Sequence, residues 1–296
     1  MTPSSKIVFF GSGPVAAATL EALLQAGFIF EAIITKPRAE GHRGSVPVLE
    51  LTSKHTSLPV FTPTNKAELS ALFASHRFVS RVGLVVDYGI IIAKEVIGAF
   101  PKGIVNSHFS LLPLWRGADP ITFSVLSGQQ KTGVSLMVIN EKLDEGQLIA
   151  QKEFTLAPDV TTPKLTQQLI ALSNKMIIEH LPGYLHGDIK PYAQPNISST
   201  YSRKLVKEDG IIDLKKPADQ LEREVRAYQG WPKSKITLFD KYTVIVTKAR
   251  VASGLADGEL TLPCAGNSYL EITELTAPSG RTVSGAEFMR GYKKTA

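Results

Sequence analysis

Short apolar runs alternate with stretches of helical period along the first half of the chain. KIVFF (6–10) is followed by PVAAATLEALLQAG (14–27), FEAIIT (30–35), LPVFT (58–62), an amphipathic NKAELSALFASH (65–76), VGLVVDYG (82–89) and GIVNSHF (103–109). That order predicts a βαβ series. Strands apolar without alternation are covered on both faces, so the expected architecture is α/β: an N-terminal Rossmann-like, mostly parallel sheet with flanking helices. Ligands of such sheets gather at the carboxyl ends of the strands. A helix expected over Pro163 to His186 carries Leu165, Leu169, Leu172, Met176 and Ile177 near helical spacing and closes this domain.

The segment IKPYAQPNISSTYSRK (189–204) is rich in Pro, Ser, Asn and Thr and has no apolar period, which is the composition of a linker. The expected division is a domain over 1–195, a linker over 196–204 and a second domain over 205–296. In the latter, PADQLEREVRAYQGWP predicts a helix ended by Gly230 and Pro232. KITLF, YTVIVTKARV, GELTL and YLEITEL then predict a small antiparallel C-terminal β-barrel, OB-like.

One strand carries chemistry. In NSHFSLLP (106–113), Asn106 and His108 are two residues apart and project from the same face, with Ser107 on the other. An amide and an imidazole are costly to bury without partners, and a strand's carboxyl end is where α/β ligands lie. An Asn amide can donate to a carbonyl oxygen becoming an oxyanion, and a His can move a proton. This is equipment for acyl transfer without a protein nucleophile, since there is no GxSxG elbow and the only cysteine, Cys264, sits in the second domain. Direct attack by a substrate amine is the simpler scheme. A carboxylate that could orient the imidazole is Asp144, in LDEGQLIAQKEF between two strand-like runs; an Asx turn before Gly146 is the competing explanation. His42, His55, His76, His180 and His186 lack comparable company and are expected on the surface or in helices.

Composition narrows the setting. The 296 residues are 43% hydrophobic with a mean hydropathy of +0.03, as globular proteins are. A single cysteine allows no intramolecular disulfide and no cysteine-based metal cluster, which suits a reducing, cytoplasmic location. Neither a signal peptide nor a membrane span is expected. The net charge of +6 is uneven: residues 1–200 hold 17 Lys and Arg against 15 Asp and Glu, residues 201–296 hold 16 against 12. Such a basic second domain fits an anionic partner such as RNA, and fits ordinary surface lysines equally well.

Gly11-Ser12-Gly13-Pro14-Val15-Ala16 matches the dinucleotide pattern GxGxxA, but the second strand ends in Thr35-Lys36-Pro37 where a ribose-binding acid is needed, and Glu31 stands at its start. A tight strand-to-helix turn explains the glycines better.

Together, NSHFSLLPLWRGADPI and LDEGQLIAQKEF resemble the folate-dependent formyltransferases. The resemblance extends to FFGSGP, TKPRAEGHRGSVP, VVDYGIIIAK and TYSRKLVKEDGIIDLKKPADQLEREVRAYQGWP, nearly the whole chain. It implies 10-formyltetrahydrofolate as co-substrate, no metal, and a second domain that binds tRNA. Within the family the chain is most similar to the branch whose acceptor is the methionine amine of initiator methionyl-tRNA. It further implies that Asn106 holds the formyl oxygen, His108 assists the tetrahedral intermediate and Asp144 orients His108. The folate pocket would be lined by Tyr88, Gly89, Ile90, Ile91 and Ile92, by Ser110, Leu111, Leu112 and Pro113, and by the loop around Asp144. Arg43 would serve the aminoacyl end, with Gly11 and Ser12 also on the substrate side. A monomer is expected.

Two departures stand out: the loop after Gly44 lacks the family's lysine-rich insertion, and Asp87 replaces a small apolar residue, either altering pterin contacts or facing solvent. The shared motifs identify formyl transfer, not the acceptor. Glycinamide ribonucleotide formyltransferases are smaller, single-domain enzymes. Amino-sugar nucleotide formyltransferases and formyltetrahydrofolate hydrolases carry similar second domains. A binding protein that has lost catalysis is disfavoured by the presence of all three polar residues.

Overall fold

The structure is a computed structural model of the chain, and its described residues are 6–38, 46–54 and 58–292. Contacts divide it into two compact units. The first is built from the chain up to Gly117, Thr132–Phe154 and Thr166–Tyr201; the second from Ala118–Lys131, Thr155–Leu165 and the chain from Ser202 on.

In chain order the elements are β1 (Ile7–Phe10), α1 (Pro14–Gln25), β2 (Phe30–Ile34), α2 (Pro47–Thr52), β3 (Val60–Phe61), α3 (Lys66–Ser75), β4 (Val82–Val85), α4 (Lys94–Gly98) and β5 (Ile104–His108). The short β6 (Arg116–Gly117), α5 (Pro120–Leu126), β7 (Lys131–Val138), β8 (Leu148–Thr155) and α6 (Thr162–His186) follow. The remainder are the short β9 (Tyr201–Ser202), α7 (Ala218–Ala227), β10 (Ser234–Leu238), β11 (Tyr242–Ala252), β12 (Thr261–Cys264), β13 (Ser268–Thr276), β14 (Thr282–Ser284) and α8 (Gly285–Tyr292).

The first unit holds a seven-stranded sheet ordered β3-β2-β1-β4-β5-β7-β8. Its first five strands are parallel, and the apolar runs IVFF and VGLV are buried throughout. Val8, Phe10, Ala32, Ile34, Val85 and Ile104 pack with Leu69 of α3 and Val96 of α4 into one core layer. β7 departs from the parallel pattern and runs antiparallel to β5, with Ser135 opposite His108. It is buried along nearly its whole length, so its sequence looks like that of a parallel strand although its direction is reversed.

Register aligns the ends of the central strands. Phe10 pairs with Val85, and Val85 with Asn106. Gly11-Ser12, Asp87 and His108 therefore leave the sheet at one edge, one or two residues beyond this row.

The second unit is a small barrel-type domain around an antiparallel sheet ordered β10-β11-β13-β12, with β14 against β13. Its core gathers Val244, Val246, Leu270, Ile272 and Leu275 with Leu221 and Val225 of α7 and Phe288 of α8. The strand expected over GELTL begins instead at Thr261 and runs through Pro263. Among the described residues β12 pairs with β13 alone, and an edge strand tolerates a proline because an outward-facing position needs no N–H for the ladder.

Candidate active site

Alternation on β5 splits its polar residues as the sequence predicts. The Ser107 hydroxyl is 2.7 Å from that of Ser173 on α6, a buried structural pair. Asn106 is half-buried, and among the described residues its amide makes no hydrogen bond. His108 is 5% exposed and lies between two partners: Nε2 is 2.9 Å from the Trp115 carbonyl oxygen, and Nδ1 is 3.8 Å from Asp144 Oδ2. A carbonyl only accepts, so Nε2 carries a proton and donates it to Trp115. Nδ1 faces the carboxylate at a distance too long for a hydrogen bond and short enough for charge interaction.

Asp144 is held from several sides. Its Oδ2 accepts from the Gly117 amide at 2.8 Å, and its backbone takes φ of 52°. The Gln194 amide donates to the carbonyl oxygens of Asp144 (2.7 Å) and Gly146 (3.0 Å). Arg116 in turn donates to Gln194 Oε1 at 2.7 Å and pairs with Glu145 at 3.1 Å. Gly146 is required because its Cα lies against the Val138 carbonyl, where any Cβ would collide. The turn explanation thus accounts for the backbone of Asp144 while leaving its carboxylate beside His108. Arg116 sits inside the quoted motif, whereas Gln194 carries no local signal and falls in a stretch whose composition suggests only a connector.

The glycine turn after β1 opens onto a cleft of about 510 Å³ lined by Ser12, Gly13, Lys36, Asp87, Tyr88 and Gly89, among others. The amides of Ser12 and Gly13 donate to the Asp87 carbonyl oxygen at 3.0 and 3.4 Å, and that of Gly11 to Ile34 at 3.0 Å. Donors that a dinucleotide pyrophosphate would use are therefore spent, and the Asp87 carboxylate packs against Gly13 where a phosphate would approach. Glu31 is engaged elsewhere, accepting from the amides of Val79 and Ser80 and from the Ser80 hydroxyl. Burial raises its pKa, but those hydrogen bonds outweigh it and hold the carboxyl below its usual range.

Asp87 opens onto the cleft, yet crowding protein desolvates its carboxylate and pushes its pKa up to about 6, with the Lys36 charge pulling the other way. Lys36 Nζ itself donates to the Gly89 carbonyl oxygen at 2.9 Å.

The residues expected to line a folate pocket differ in access. Tyr88 is 3% exposed, with no hydrogen-bond partner for its hydroxyl among the described residues. Ile90 and Ile92 pack partly into the core, whereas Ile91 is 77% exposed. Gly89 takes φ of 70°, and among the described residues the backbone N–H groups of Tyr88 through Ile92 make no hydrogen bond. Leu111 is half-buried; Ser110, Leu112 and Pro113 are buried, with the Ser110 hydroxyl donating to Leu114 and the Leu112 amide to Ser135. Arg43, His42 and His55 lie outside the described residues. His180 bonds the Met176 carbonyl oxygen within α6, and His76 packs on Phe61 and Phe78. Among the described residues no cluster of His, Cys, Asp or Glu is placed to hold a metal ion, and no helix is long and apolar enough to cross a membrane.

Two family models match the chain: "Formyl transferase" over residues 5–181 and "Formyl transferase, C-terminal domain" over 204–293. A relative from Roseiflexus castenholzii named methionyl-tRNA formyltransferase is 35% identical, covering 99% of this chain and 97% of the relative. One of the same name from Myxococcus xanthus is 34% identical, covering 97% and 95%. Among solved structures, an N-formyltransferase from Helicobacter canadensis in complex with folinic acid and dTDP-3-aminofucose has the same fold, with a TM-score of 0.68 at 16% identity over 90% of this chain and 98% of that one. The chain belongs to the formyl transferase family.

Proposed function

We propose that this chain transfers the formyl group of 10-formyltetrahydrofolate to the amino group of methionyl-tRNA. The observation that carries the reading is the likeness to relatives named methionyl-tRNA formyltransferase, which runs through both units and nearly end to end of each partner.

The site supports a direct transfer. The amine nitrogen attacks the formyl carbon, and the carbonyl electron pair moves onto oxygen, where the unengaged Asn106 amide can donate to it. His108 takes the proton lost by the amine at Nδ1, the nitrogen that faces Asp144, while its Nε2–H bond to Trp115 fixes the ring. Collapse breaks the bond between the formyl carbon and N10 of the folate, which receives that proton. The folate itself suits the segment after β4: exposed Ile91 offers an apolar contact to a flat ring, and the amides of Tyr88 to Ile92, unpaired among the described residues, offer donors at its edge. The surplus positive charge of residues 201–296 suits the phosphates of tRNA. A lone cysteine accords with a reducing cytoplasm.

Asp144→Asn tests the mechanism, because it keeps the side chain's size and removes the charge that Nδ1 faces. With donor and methionyl-tRNA supplied, kcat is expected to fall by roughly 10²-fold or more, in the range typical for loss of acid–base assistance. A variant as fast as the wild type would contradict the role given to Asp144.

A further inference from the structure

Both partners of the His108 ring are held from one short stretch of chain, 194–200. On the Nε2 side the partner is the Trp115 carbonyl oxygen, and Trp115 takes φ of 55°. Thr200 clasps the turn that carries it. Its hydroxyl oxygen accepts from the Trp115 amide at 2.9 Å, its carbonyl oxygen accepts from the Arg116 amide at 2.9 Å, and its own amide donates to the Pro113 carbonyl oxygen at 3.3 Å. On the Nδ1 side the partner is Asp144, with φ of 52°. Gln194 spans that loop, donating to the carbonyl oxygens on either side of Glu145 while its own oxygen accepts from Arg116.

Non-glycine residues stay in the left-handed region only where their surroundings over-determine them. Gln194 and Thr200 supply that determination at both turns, and among the described residues their side chains hydrogen-bond nowhere else. Gly117 links the two turns directly, donating to Asp144 Oδ2 at 2.8 Å, so a shift at one is carried to the other.

We propose that Gln194 and Thr200 are positioning residues for His108, which act on formyl transfer by fixing the two groups that face its ring nitrogens. This rests on the formyl-transfer reading above. Thr200 holds the acceptor that keeps a proton on Nε2 and leaves Nδ1 open to take one, whereas Gln194 holds the carboxylate that Nδ1 faces.

The test compares Thr200→Val, which keeps the shape and loses the oxygen, with Thr200→Ser, which restores it, and adds Gln194→Met alone and together with Asp144→Asn, all in the full chain. Thr200→Val and Gln194→Met are expected to lower kcat by roughly ten- to a hundredfold, as misplaced reacting groups do, with KM for donor and methionyl-tRNA within about twofold of the wild type, which reports an intact fold. Thr200→Ser should return kcat to near the wild-type rate. With Asp144 already Asn, Gln194→Met should cost less than about twofold more, because it acts through that carboxylate. Losses that multiply, a Thr200→Ser as slow as Thr200→Val, or wild-type kcat in both single variants would overturn the proposal. NMR of nitrogen-labelled histidine reads the same frame without turnover: the neutral His108 ring should carry its proton on Nε2 in wild type and Thr200→Ser, and on either nitrogen in Thr200→Val. An unchanged tautomer in Thr200→Val would sink the role of Thr200. Failure of the formyl-transfer reading looks different: wild-type chain would make no formylated methionyl-tRNA, whatever the ring spectra show.

Discussion

His108 and Asp87 show two ways in which a residue at this strand edge is held against its own preferences. The His108 ring is buried, and its tautomer is set by the Trp115 carbonyl. The pair Asn106 and His108 on β5 was legible in the sequence because period-two geometry needs no knowledge of the rest of the fold. Their supporting residues were not: Gln194 reaches the Asp144 loop from 50 positions away, and no local pattern marks an amide for that task. Asp87 was visible as a departure, but its crowding against Gly13 depends on tertiary approach.

That crowding has a consequence for stability. The folded pKa of about 6 lies above the ordinary aspartate value of 3.8, so the native state holds a proton that the unfolded chain releases. The contribution is favourable below the unfolded value and is lost as pH rises through about 6. Asp87→Asn, which cannot ionise, is therefore expected to melt above the wild type at pH 7.5, with the gap closing by about pH 4. Thermal melts across this range check it, and a gap that widens on acidification would contradict the assignment.

At the scale of elements, the antiparallel pair β7 and β8 matters most, because the loop between them delivers Asp144 to the end of β5. The sequence announced both strands and the loop. It could not announce that β7 reverses direction, since burial on both faces gives parallel and antiparallel strands the same apolar run. Gly146 is where this hairpin meets its tightest constraint. Gly146→Ala places a Cβ against the Val138 carbonyl, so it is expected to cost about 1–3 kcal/mol and lower the melting temperature, with formyl transfer falling as Asp144 moves from His108. Gly98→Ala is the control: at the end of α4 an added Cβ meets open space, and both quantities should hold or improve. Equal behaviour of the two variants, read by thermal melts and formylation rates, would remove the steric argument.

Across the whole molecule, the sequence separated an α/β half from a β half because hydrophobic periodicity changes between them. What it did not reveal is how the units share the chain. Ala118–Lys131 and Thr155–Leu165 group with the second unit although both lie well before Ser202. Such grouping is decided by contacts such as those of Arg226 with Val160 and Arg223 with Leu126, whose partners are 66 and 97 positions apart. Before that boundary, Thr200 is tied into the first unit, accepting the amide of Trp115 on its hydroxyl and that of Arg116 on its carbonyl oxygen.

The acceptor is the claim on which the functional account turns, because the strand-edge chemistry would serve any primary amine. Purified chain with 10-formyltetrahydrofolate should be offered initiator methionyl-tRNA, a nucleotide-linked amino sugar and water alone in parallel, with formylated product and released tetrahydrofolate both measured. The account predicts rapid formylation of methionyl-tRNA and only slow turnover with the sugar or water; transfer to the sugar alone, or hydrolysis as fast as transfer, would contradict it.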